Sequence, residues 1–142
     1  MLDPFSLPLH PAIVHFPVAM LSAAWVCLII RHATRDQKWD ARVHLLEVIG
    51  VAALPFVVTA GFIDTRGFDF VLNPRADAPL IWHMTSGLVA TIVFATHYFW
   101  RRRREAAELV GSLLVVDVAV STFGLIALLA ATFLAAEVVY GG

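Results

Sequence analysis

Four long apolar blocks, separated by three polar connections, set the pattern of this chain. They cover residues 12–31, 43–63, 80–101 and 108–136, and none gives a whole face to charged side chains. Roughly 20 apolar residues in a helix cross the hydrocarbon core of a bilayer. A helix also satisfies its own backbone groups there. The pattern therefore predicts an all-α integral membrane protein, a four-transmembrane-helix bundle forming a single domain over residues 1–142. The fourth block is long enough to tilt or to project past the bilayer.

The basic residues orient the bundle. The first connection holds Arg31, Arg35, Lys38 and Arg42, and the third holds Arg101 to Arg104, while the middle one holds only Arg66 and Arg75. Positive charge favours the cytoplasmic side, so both termini and the middle connection are expected on the periplasmic side. No basic segment precedes the first block, which is therefore not read as a cleaved signal peptide. Charged residues make up 15% of the chain, against about a quarter in soluble domains. A net charge of −1 gives no electrostatic case for nucleic acid. The single Cys27 excludes an intrachain disulfide and any paired-cysteine metal motif.

A short phrase occurs twice, as PAIVH at Pro11–His15 and PLIWH at Pro79–His83. Each opens a helix entering from the predicted outer face, with proline in the first turn, where its missing N–H is not needed. This suggests two parallel helical-hairpin repeats related by a pseudo-two-fold axis along the membrane normal. In that register His15 and His83 sit at equal depth and would face each other across the bundle. Gly87, Ala90, Thr91, Phe94 and His97 continue the face of His83, and Ala19, Ser22 and Val26 that of His15. Small residues there admit close helix packing or a flat macrocycle in the bundle core.

An ionisable side chain inside a membrane span is a functional hypothesis by default, and imidazole is a common haem ligand. His15 and His83 are thus candidate axial ligands of a haem b, with Arg66 and Arg75 placed to meet its propionates. His44 and His97 form a second pair toward the opposite side, suited to a second haem or to snorkelling at the interface. His83 and His97 lie about 21 Å apart along one helix. The alternative is a transition metal ion held by His10, His15, Asp64 and His83. A third reading has no cofactor, with the histidines hydrogen-bonding between helices. Glu47 suits an ion pair with an arginine. Asp117, roughly two turns inside the fourth helix, needs a partner: it would orient a histidine or carry protons. Trp25, Trp39, Trp82 and Trp100 mostly fall where interfacial aromatic belts are expected.

The stretch LHPAIVHFPVAM at residues 9–20, GFID at 61–64 and the histidine of PLIWHMTSG resemble a bacterial family of predicted membrane proteins, domain of unknown function 2231. The resemblance covers essentially the whole chain. It implies four transmembrane helices in the bacterial inner membrane, and relatives joined to Rieske-type or c-type cytochrome domains imply redox work at the outer face. The matching positions are His10, Pro11, His15, Pro17, Asp64 and His83; His44 and His97 fall outside the pattern.

These readings lead to a membrane b-type cytochrome, with one haem or two, exchanging electrons with a quinol or with a Rieske or c-type cytochrome partner. An electron-transfer protein is expected rather than an enzyme with its own substrate. The bilayer is its surroundings, and a homodimer is compatible with so apolar a surface.

Overall fold

The computed structural model describes residues 9–64, 78–104 and 112–140, with side chains described over 13–63, 80–104 and 114–135. Among the described residues four helices account for nearly everything: α1 (Leu9–Thr34), α2 (Lys38–Asp64), α3 (Ala78–Arg104) and α4 (Ser112–Tyr140). All four are long and apolar enough to cross a membrane. The protein is thus a multi-pass four-helix membrane bundle. At 26 to 29 residues each helix is about 40 Å long, against a hydrocarbon core of about 30 Å. The excess carries polar ends, including Arg31 and His32 closing α1 and four arginines closing α3.

The turn between α1 and α2 is built by its own residues. Arg35 takes a left-handed backbone (φ 55°) and its N–H bonds the Arg31 carbonyl at 2.9 Å, which ends α1. Asp36 then accepts a bond from the Lys38 N–H at 3.0 Å, a side-chain cap on the entry to α2. The buried Arg31 returns to Asp40, its Nε 3.0 Å from Oδ1, and ties the two helices at their basic end.

Packing is closest within the α1–α2 and α3–α4 hairpins, which meet along α1–α4 and α2–α3. Among the described residues α1 and α3 are diagonal, with no close approach of their backbones. This is the neighbour pattern of a four-helix bundle built from two hairpins. Each hairpin also has a glycine where its helices approach. A Cβ at Gly50 would lie 2.7 Å from Leu21 of α1, and one at Gly124 would lie 3.1 Å from Val93 and Phe94 of α3.

Leu21, Leu54, Ala90, Phe94 and Leu128, drawn from all four helices, form the central apolar core. Leu28, Val43 and Leu114 form a second cluster nearer the basic end. Trp25, expected at an interface, instead lies against the neighbouring hairpin and donates its indole N–H to Thr122 Oγ1 at 2.9 Å. Trp39 and Trp100 do sit at the basic end, under the guanidinium groups of Arg42 and Arg104. Phe56, Phe99 and Phe133 stand exposed on the outer surface, where lipid would cover them.

Gly50→Val is expected to push Leu21 aside and to cost about 1–3 kcal/mol by overpacking, read from unfolding in detergent. Gly87→Ala, whose Cβ would meet nothing within 4 Å, should not destabilise in the same assay, alanine favouring a helix by up to about 1 kcal/mol over glycine.

Candidate functional site

The most concentrated chemistry lies between α2, α3 and α4, toward the basic end. Glu47, His97, Arg101 and Asp117 are 4%, 3%, 6% and 0% exposed, and Ser121 is buried beside them. These positions follow from helical periodicity. His97 and Arg101 are one turn apart and continue the buried stripe of Ala90 and Phe94. Asp117 and Ser121 likewise continue the stripe of Gly124 and Leu128 on α4.

The cluster is a closed ring of contacts. Arg101 Nη1 donates to Glu47 Oε2 at 2.9 Å, and its Nε lies 3.5 Å from Asp117 Oδ2. His97 Nε2 is 3.1 Å from Asp117 Oδ1. On its other edge, Nδ1 is 3.6 Å from Glu47 Oε1 and 3.5 Å from Ser121 Oγ. Both imidazole nitrogens are thus turned toward oxygen atoms. Asp117 Oδ2 is buried without a hydrogen-bond partner, so Arg101 meets it by charge alone.

The expected ion pair of Glu47 is present, with Arg101 as its arginine. The partner that Asp117 requires is His97, which sequence alone did not name. His97 does not snorkel, because its ring is held inward by two carboxylates on neighbouring helices. His44 is half-buried and stacks on Tyr98, ring centroids 6.0 Å apart. His97 addresses Asp117 and Glu47 rather than His44.

Toward the opposite end, His83 is half-buried and its Nδ1 lies 2.7 Å from the Ala131 carbonyl oxygen on α4. A carbonyl only accepts, so Nδ1 carries a proton, and in a neutral ring the lone pair is then on Nε2. One turn further in, the Cβ position of Gly87 opens onto unfilled space.

His15 is exposed. The buried positions of α1 are Pro17, Leu21, Ala24, Leu28 and Arg31, and at 100° per residue His15 points roughly opposite to them. The expectation that the face of His15, Ala19, Ser22 and Val26 turns inward is corrected accordingly. Ala19 and Val26 are exposed as well. Counted from the buried stripes Ala24–Leu28 and Ala90–Phe94, Pro17 rather than His15 holds the position of His83. The twin phrases are therefore two residues out of step with the packing, enough to turn a side chain to the far face. The side chains of His10 and Asp64, together with Arg66 and Arg75, lie outside the described residues. Among the described residues no group of three or more potential ligands is arranged to hold a metal ion.

Asp117→Leu would leave His97 and Arg101 facing each other without their shared carboxylate. Breaking a buried pair in this way costs about 3–5 kcal/mol, so a large loss of unfolding stability is expected. Exposed Arg103→Gln should stay within about 0.5 kcal/mol of the parent.

The chain belongs to the family of predicted membrane proteins known as domain of unknown function 2231, whose model matches residues 6–142. No curated protein and no solved structure matches it.

Proposed function

We propose that this protein is a membrane-bound b-type haem protein in which His83 is an axial ligand, on the side of the bundle away from the arginine-rich turns. The observation that carries the reading is the 2.7 Å contact between His83 Nδ1 and the Ala131 carbonyl. Metal-ligating histidines are generally held by such a bond on the other ring nitrogen, which fixes the tautomer and raises ligand basicity. Here it makes Nε2 the nitrogen suited to iron. The open position at Gly87 lies on the same helical face, one turn away, where a flat macrocycle needs room.

His15 takes a second place in this reading. It faces away from the core of the bundle, so it ligates the same iron only if α1 turns about its axis. The role proposed is electron exchange with a membrane quinol or a redox partner at the outer surface. The distribution of basic residues supports both termini facing the periplasm, with the bundle in a bacterial inner membrane. When bound, haem supplies one-electron chemistry; the chain supplies a fixed imidazole and a water-poor setting.

The test is the visible spectrum of protein purified from haem-replete cells, oxidised and dithionite-reduced. A Soret band and a sharp reduced α-band are expected in the parent and lost in His83→Ala, while His15→Ala retains haem. A colourless parent overturns the reading. Loss of haem in His15→Ala with retention in His83→Ala would transfer the ligand role to α1.

A further inference from the structure

The buried cluster at the basic end raises a question of charge that the haem reading does not touch. With both acids ionised, Glu47 and Asp117 contribute two negative charges and Arg101 one positive charge. A net charge within a membrane span is costly, and among the described residues no second arginine pairs with either acid. On α1, Arg31 is buried at the same end but is engaged by Asp40. On α2, the next titratable group toward the basic end is His44, stacked on Tyr98. On α4, Ser121 is neutral. Arg101 already fills the cationic position between the carboxylates, at 2.9 Å from Glu47 and 3.5 Å from Asp117.

Geometry supplies a place for the missing charge. A neutral imidazole has one N–H and one lone pair; His97 sets Nε2 3.1 Å from Asp117 and Nδ1 between Ser121 Oγ at 3.5 Å and the Glu47 carboxylate at 3.6 Å. A neutral ring donating to Asp117 takes the Ser121 hydroxyl on its lone pair and offers Glu47 no hydrogen, whereas a protonated ring reaches both carboxylates. Asp117 Oδ2, fully buried and without a hydrogen-bond partner, is an independent sign that the ring of contacts is one hydrogen short.

We propose that Glu47, His97 and Asp117, balanced by Arg101, form a binding site for a single proton inside the membrane domain, exchanging with the aqueous phase at the arginine-rich end. Binding takes one proton from hydronium, releases water and brings the cluster from one net negative charge to neutrality. His97 lies about 10 Å along α3 from Arg104, so the exchange path to that end is short. The inference stands apart from the haem reading, since the two sites occupy opposite ends of α3 and share no residue.

The experiment uses the whole protein in lipid nanodiscs, labelled with 15N in histidine and 13C in the aspartate and glutamate carboxyl groups. Nuclear magnetic resonance then reports the protonation of all three side chains together. His97→Gln, Glu47→Gln and Asp117→Asn assign the signals by their absence. At neutral pH one extra proton is expected in the parent, on His97 as imidazolium or on one carboxyl. Raising the pH should remove it reversibly with the fold intact. Glu47→Gln, already neutral without that proton, should lack it at the same pH; Asp117→Asn gives the same expectation should the first variant fail to fold. Two ionised carboxylates beside a neutral His97 at neutral pH overturn the proposal. So does an extra proton retained in both variants, or one that leaves only when the protein unfolds, since the cluster would then be a fixed structural element.

Discussion

A charge buried in a bilayer must be cancelled by another within a few ångströms, and among the described residues that constraint gathers the most side chains between α2, α3 and α4. Arg101 from α3 lies between Glu47 of α2 and Asp117 of α4, and His97 closes the ring. Hydrophobic burial does little to hold helices together in lipid, because the tails are as apolar as the side chains. Packing and polar contacts must do more. The two hairpins meet along narrow seams, and the polar contacts across them include the Glu47–Arg101 and Glu47–His97 pairs on one side and the Trp25–Thr122 bond on the other. Loss of the cluster would strand charges on three helices at once.

The same constraint explains what was legible in the sequence. The four helices were legible because spanning a membrane demands long uninterrupted apolar runs, and 12–31 or 80–101 can hardly be read otherwise. That Glu47 needed an arginine and Asp117 a partner was legible for the same reason. Which arginine and which histidine was not, because contacts between α2, α3 and α4 depend on helix rotation, which apolar blocks do not encode. A usable signal was present nonetheless. His97 and Arg101, one turn apart, share a face with Phe94, and Asp117 shares one with Ser121, Gly124 and Leu128; a polar stripe continuing an apolar one marks an inward face.

The twin phrases around His15 and His83 show how such a signal misleads. Identical spacing from proline to histidine implied identical roles, yet a shift of two residues rotates a helical side chain by about 200°. Pro17, not His15, faces the core of α1. The hairpins are alike in what packing requires of them, a glycine at each close approach and leucine or phenylalanine beside it, while the histidines differ in orientation. The chemistry is accordingly uneven along α3, with His83 held by a backbone carbonyl at one end and His97 held by carboxylates at the other.

The most direct test of the cluster as the bundle's organising contact is a double-mutant cycle between Glu47→Gln and Arg101→Gln, read by reversible unfolding in lipid or mild detergent. Removing both partners should cost less than the sum of the single changes, leaving a coupling of about 1–3 kcal/mol. Strictly additive losses, or single variants as stable as the parent, would contradict the account.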